Sequence, residues 1–98
     1  MKTVGQIIRE TRKKKGLLQR QLAAMLDIDT AILSKLERNE RKINIELLLK
    51  ISEFLQFDSQ EMLVQYQSDR IAYEIANDVN ASRILKIAEK KINYIKKR

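Results

Sequence analysis

A pair of short helical patterns, separated by three residues, constrains the fold of this chain more than any other feature of its sequence. The first pattern, over residues 19–26, gathers its apolar side chains on one side. Residues 27–29 (Asp-Ile-Asp) interrupt it, and the second pattern begins near Thr30 with Leu33 and Leu36 facing inward. The chain is therefore predicted to fold around two consecutive helices joined by a tight turn.

The outer face of the second helix carries small and basic side chains. Small side chains let a helix approach base edges in a major groove, where a Thr or Ala methyl can contact a thymine methyl. Lys35 can reach guanine acceptors or a phosphate, and Gln19 at the start of the preceding helix can bond a phosphate or a base edge. This is the layout of a helix-turn-helix DNA-binding motif. The predicted outer face consists of Thr30, Ala31, Ser34, Lys35 and Arg38.

Composition excludes several classes of function. The 98 residues suffice for one domain, or for one small domain with an appendage. The absence of Cys and His excludes disulfides and thiolate metal sites and removes the commonest general base. No glycine loop, metal cluster or nucleophile–base set appears, so we expect no enzyme, metal, cofactor or small-molecule ligand. With no signal peptide and only short apolar runs, we expect a cytoplasmic location and no membrane contact.

The charge of the chain is unevenly distributed. Residues 1–42 hold 11 basic and 5 acidic side chains, whereas residues 43–88 have a net charge of −3 and residues 89–98 of +4. A basic first half is typical of a protein that binds a polyanion. Charge alone favours an ordinary solvated surface, but its coincidence with the two-helix pattern favours DNA. RNA is disfavoured because no aromatic platform accompanies the basic residues.

Signals for helix starts and ends predict one further helix before the pair and one after it. Thr3 and Gln6 have the spacing of a capping box and Gly16 can end a helix, so one helix is predicted over residues 4–15. Asn44 is predicted to cap another over residues 45–55. Their inward faces are predicted to include Val4, Ile7, Ile8, Leu47, Leu48, Ile51, Phe54 and Leu55, with Arg9, Arg12, Lys13, Lys14 and Lys15 outward.

The segments that flank the two helices lack some of the residues that usually cap helices or form turns. Leu18 stands where a polar N-cap is expected, so we expect packing of Leu17 and Leu18 to hold the start of the second helix. Asp27 is expected to adopt the left-handed conformation that Gly would prefer. Asp29 is expected to cap the third helix, with a role beside a phosphate as the alternative.

The stretch from Val4 to Tyr66 resembles the Cro/C1-type (XRE) helix-turn-helix family. This resemblance implies an all-α, lambda-repressor-like DNA-binding domain of five helices over residues 1–67, followed by a helical extension over residues 68–98. Residues 36–42 are particularly similar to controller proteins of restriction–modification systems. The matching residues are Gly16, Leu17, Gln19, Leu22, Ala23, Leu26, Ile28, Leu33, Ser34, Leu36, Glu37, Arg38, Leu48, Ile51, Leu55, Phe57 and Asp58.

The resemblance also implies roles for individual residues. Gln19 corresponds to a glutamine that contacts the DNA backbone, and Glu37 to a structural acidic residue paired with a neighbouring Arg. Arg38, Arg41 and Lys42 fall where relatives contact phosphates or flanking bases. The groove-facing recognition positions correspond to Thr30, Ala31, Ile32, Ser34 and Lys35.

The extension beyond residue 67 contains a second amphipathic pattern. Asp58 or Ser59 is predicted to cap a helix over residues 60–66, after which the chain either breaks at residues 66–69 or continues. After a turn cluster at residues 77–80, a helix over residues 81–96 is predicted. Its apolar stripe must be buried, either on its own protomer or, as we favour, in a homodimer. The stripe residues assigned to dimerisation are Ile84, Leu85, Ala88, Ile92 and Ile95.

These observations predict a homodimeric, sequence-specific transcriptional regulator that binds double-stranded DNA at a near-palindromic operator, with control of a restriction–modification locus as one setting. The alternative is an antitoxin or another protein-interaction module whose extension binds a different protein.

Overall fold

A computed structural model describes residues 1–97 of the chain, which fold into six α-helices and no strand. The described part measures about 45 × 29 × 21 Å. The predicted all-α fold is confirmed. The helices are α1 (Val4–Lys14), α2 (Gln19–Leu26), α3 (Thr30–Glu37), α4 (Ile45–Leu55), α5 (Ser59–Ile75) and α6 (Ala81–Lys96).

Most helix ends follow the predicted caps. In the capping box of α1, the Gln6 N–H donates to Thr3 Oγ1 (3.4 Å) and the Thr3 N–H donates to Gln6 Oε1 (2.9 Å). Gly16 follows α1 with a φ of +72°, as its role as a helix stop requires. Asn44 caps α4 by accepting from the Leu47 N–H at 2.8 Å. Asp58, rather than Ser59, caps α5.

The segments that flank α2 agree with the predictions in part. Asp27 has the expected left-handed conformation, with φ 57° and ψ 45°. Asp29 lies at the expected N-cap position of α3, but its side chain makes no capping hydrogen bond. The expected packing is confirmed for Leu17, which is half-buried against the core, and is wrong for Leu18, which is 50% exposed. Instead, its backbone N–H donates to Gln21 Oε1 at 2.8 Å, which fixes the first turn of α2.

The hydrophobic core lies among α1 to α4 and the first half of α5. On α4, the side chains of Leu48, Ile51 and Leu55 are buried at helical spacing. Phe54, predicted to face inward, is 42% exposed because it lies at the edge of this stripe. The buried apolar residues of the whole core are Val4, Ile8, Leu22, Ala23, Leu26, Leu33, Leu36, Ile43, Leu48, Ile51, Leu55 and Met62.

The sequence left open whether the chain breaks at residues 66–69 or continues as a helix. Helix α5 continues through these residues. The predicted boundary between residues 67 and 68 therefore falls inside a continuous helix. We call residues 1–66 the head and residues 67–97 the arm. Every buried residue lies in the head, and none of the described arm residues is buried. No helix within residues 1–97 combines the length and apolar character needed to cross a membrane.

Candidate nucleic-acid interface

A buried ion pair joins α1 to the C-terminal end of α3. Arg12 on α1 donates to both carboxylate oxygens of Glu37, from Nε at 2.7 Å and from Nη2 at 3.1 Å. The third contact of the guanidinium is the carbonyl oxygen of Leu17, at 2.7 Å from Nη1. Arg12 is 6% and Glu37 2% exposed. A bidentate pair in which each guanidinium nitrogen donates one hydrogen bond orients α3 firmly against α1.

The predicted pairing of Glu37 with a neighbouring Arg is confirmed, whereas the predicted outward position of Arg12 is wrong. Arg12 follows Val4 and Ile8 at intervals of four residues, so it lies on their inward face of α1. This spacing is the signal that could have located the buried cation. Its charge alone suggested an exposed position.

Gln19 belongs to the same network. Its Nε2 donates to Glu37 Oε1 at 3.0 Å, and the side chain is half-buried. The amide is thereby held at the start of α2 in a fixed orientation. Its contact with the DNA backbone stays a prediction.

The outward face of α3 presents the predicted small side chains and one long cation. Thr30, Ala31 and Lys35 are exposed, and Ser34 is half-buried. The side chain of Lys35 makes no hydrogen bond or ion pair with other residues of the described chain. Its ammonium group is thus available to a base edge or a phosphate.

Ile32 departs from its predicted outward position. Its side chain is half-buried and packs against the core beside Ile28. Residue 32 lies one position before Leu33 and four before Leu36, on the border of the inward face of α3. Its position favours a packing role over a free contact with a groove.

The C-terminal end of α3 gathers further cations. Arg38 donates to Ser34 Oγ at 2.9 Å and pairs with Glu40 at 3.0 Å, both charged side chains being more than half exposed. Asn39 ends the helix in the left-handed conformation, with a φ of 61°. Arg41 and Lys42 are exposed in the loop that follows. The structure brings these cations to the same end of α3, and their DNA contacts stay predictions.

The stripe on α6 is exposed in the described chain. Its large members Ile84, Leu85, Ile92 and Ile95 are between 38% and 62% exposed, and Ala88 is half-buried. Helix α6 contains no buried residue, so packing on its own protomer does not bury the stripe.

Comparisons with known proteins agree with this geometry. The model of the helix-turn-helix family matches residues 8–62. The HTH-type transcriptional regulator RamB of Mycobacterium tuberculosis is 32% identical over 85 residues, which are 87% of this chain and 18% of RamB. The chain thus spans about a fifth of the length of that relative.

Two solved structures share the fold. The clp gene regulator ClgR from Corynebacterium glutamicum has a TM-score of 0.58 and 25% identity, over 87% of this chain and 88% of that one. A chain of the SinR protein/SinI protein complex has a TM-score of 0.57 and 20% identity, over 98% of this chain and 100% of that one. The family match covers more than half of the chain and spans the α2–α3 pair. The chain therefore belongs to the helix-turn-helix family, in its Cro/C1-type (XRE) branch.

Proposed function

We propose that this protein is a sequence-specific transcriptional regulator that binds a near-palindromic DNA site as a homodimer. The observation that carries the proposal is the contrast between the two faces of α3. The inward face is fixed by the Arg12–Glu37 pair, while the outward face presents Thr30, Ala31 and the unpaired Lys35. A rigid helix with small side chains and a mobile cation suits entry into a major groove.

The chemistry of the side chains assigns specificity and affinity to different residues. Lys35 and the N-terminal turn of α3 contact base edges and provide specificity. Gln19, Arg38, Arg41 and Lys42 contact phosphates or flanking bases and provide affinity. Because the face of α3 offers few long donors, the shape and deformability of the site contribute to sequence choice.

The homodimer is inferred from the exposed stripe of α6. A regular apolar stripe along a helix of 16 residues needs a partner, and a second copy supplies the same stripe. Two copies related by a two-fold axis would place two recognition helices in successive major grooves. The similarity of residues 36–42 to restriction–modification controller proteins supports such a locus as the regulated target, and the predicted location is the cytoplasm.

Salt dependence of DNA binding tests the electrostatic part of the proposal. If a dimer neutralises about 6–10 phosphates, affinity should fall roughly 10³–10⁵-fold between 50 and 200 mM salt. The measurement is a titration of a labelled duplex by fluorescence anisotropy at several salt concentrations. A nearly flat salt dependence would contradict the proposal.

Lys35→Ala tests the assignment of specificity. The variant should lower discrimination between a selected site and a scrambled duplex by about 1–3 kcal/mol. The control is Lys50→Ala, which removes an exposed cation of α4 outside the predicted interface and should leave discrimination unchanged. Equal weakening on both duplexes would make Lys35 a phosphate contact instead.

The exposed face of α6 also fits the second candidate, a module that binds a different protein. Sedimentation of the purified protein separates the two. A dimer at micromolar concentration supports the homodimer, whereas a monomer that binds DNA only with a co-purifying partner supports the alternative.

A further inference from the structure

Among the described residues, one side-chain hydrogen bond joins the arm to an element of the head other than α5 itself. The carboxylate of Asp69 on α5 accepts a hydrogen bond from the backbone N–H of Val4, with 2.8 Å between Oδ2 and N. Val4 is the first residue of α1, so this N–H has no acceptor within its own helix. Asp69 is half-buried, although its neighbours Ser68 and Arg70 are exposed. A carboxylate also suits the positive end of a helix.

The first turn of α1 is itself fixed against the end of α3. A Cβ atom on Gly5 would lie 2.4 Å from the carbonyl oxygen of Leu36, which shows how closely the two backbones approach. Asn39 Nδ2, just after α3, donates to Thr3 Oγ1 at 2.7 Å. Asp69 therefore binds a turn that cannot move independently of α3.

Apart from the continuous backbone of α5 itself, no other side-chain hydrogen bond among the described residues fixes the arm to another element of the head. Just before Asp69, the Ser68 hydroxyl donates to the carbonyl oxygen of Val64 at 2.7 Å, a type of bond that often bends helices. A groove of about 590 Å³, lined in part by Tyr66 and Tyr73, separates this half of α5 from the loop of Arg41 and Lys42. Loss of the Asp69 bond should therefore allow α5 to bend there.

We propose that Asp69 is a positioning residue that fixes the direction of the arm relative to α3, and thereby the half-site spacing that a dimer accepts. The proposal rests on the proposed function, because the arms join the two heads. Two recognition helices match a site only when they are about 34 Å apart, and one inserted base pair adds about 3.4 Å. A rigid arm penalises that insertion, whereas a bending arm tolerates it.

The first test measures affinity for three duplexes: a selected site, and the same site with one base pair inserted or deleted between its half-sites. The wild-type protein should lose at least about tenfold in affinity when the spacing changes, as misplaced base contacts do. Asp69→Ala should bind the three duplexes within about threefold of one another. Asp69→Asn keeps an acceptor oxygen and should restore the preference. The proposal is overturned if Asp69→Ala keeps the wild-type preference.

Asp58→Ala is the matched control for lost stability. Asp58 is also a carboxylate that accepts backbone N–H groups at a helix start, but its contacts lie within the head. This variant should keep the wild-type spacing preference. If both variants lost it equally, general destabilisation would explain the result and Asp69 would have no special role.

The second test uses no DNA. The chain has no Cys, so spin labels can be attached through Arg20→Cys on α2 and Lys90→Cys on α6, both exposed positions. Labelled chains diluted with unlabelled chains report distances within one protomer. Asp69→Ala should broaden the distance distribution and Asp58→Ala should not. An unchanged distance distribution in Asp69→Ala overturns the proposal. If the distribution broadens but the wild-type protein shows no preference for half-site spacing in the first test, the proposed function is rejected and the role of Asp69 in fixing the arm is retained.

Discussion

The head and the arm both consist of amphipathic helices, but they differ in what covers their apolar faces. In the head, Leu48 and Ile51 of α4 are fully buried by the other helices. In the arm, Ile92 and Ile95 of α6 occupy an equally regular stripe and are more than half exposed. Periodicity therefore predicts a helix in both regions, but it does not say whether the same chain supplies the covering surface.

The largest expected effect comes from a charge placed in the exposed stripe of the arm. Ile92→Asp should prevent dimerisation and lower affinity for a palindromic site by about 10²–10⁴-fold, the usual gain from joining two binding modules. Sedimentation and anisotropy measure the two changes. Asn93→Asp adds the same charge at the next, exposed position outside the stripe and should alter neither. A dimer that persisted in Ile92→Asp would move the interface elsewhere.

The next effect tests the rigidity of the head. Glu37→Ala leaves the buried Arg12 guanidinium without its counter-ion and should lower the free energy of unfolding by about 3–5 kcal/mol. The control is Glu40→Ala, which breaks an exposed pair with Arg38 and should cost roughly 0.2–1 kcal/mol. Urea denaturation measures both. Similar costs for the two variants would mean that the buried pair does not anchor α3.

The smallest effect concerns backbone strain, which the head contains and the described arm does not. The non-Gly residues with positive φ are Asp27, Asn39 and Gln56, all in the head. Asp27→Gly should raise the free energy of unfolding by up to about 1 kcal/mol, because Gly adopts this conformation without a steric cost. Thermal denaturation measures the change. Destabilisation would instead show that the Asp27 side chain contributes more than its backbone costs.

Local signals in the sequence predicted local structure well. The bounds of α4 and α6 agree with their predicted ranges, because caps and apolar spacing act within a few residues. The left-handed conformation of Asp27 was likewise predicted from the turn position that it occupies.

Contacts between distant residues were harder to predict. The burial of Arg12 depends on a partner 25 residues away, and Asp69 meets Val4 from 65 residues away. The spacing of Arg12 from Val4 and Ile8 marks the inward face of α1, but no local pattern identifies the distant partner in either contact. The exposed edge position of Phe54 likewise depends on how α4 packs rather than on its own spacing. For the same reason, the sequence predicted the exposed positions of Thr30, Ala31 and Lys35 on α3 but did not reveal how the arm is attached to the head.

Selection of bound DNA from a random pool by the full chain tests whether the protein binds a specific DNA site as a homodimer. We expect enrichment of a near-palindromic site whose half-site centres are about 10–10.5 base pairs, or a multiple of that distance, apart. Recovery of a single unpaired half-site would contradict the homodimer, and recovery of no preferred sequence would contradict specific DNA recognition by α3.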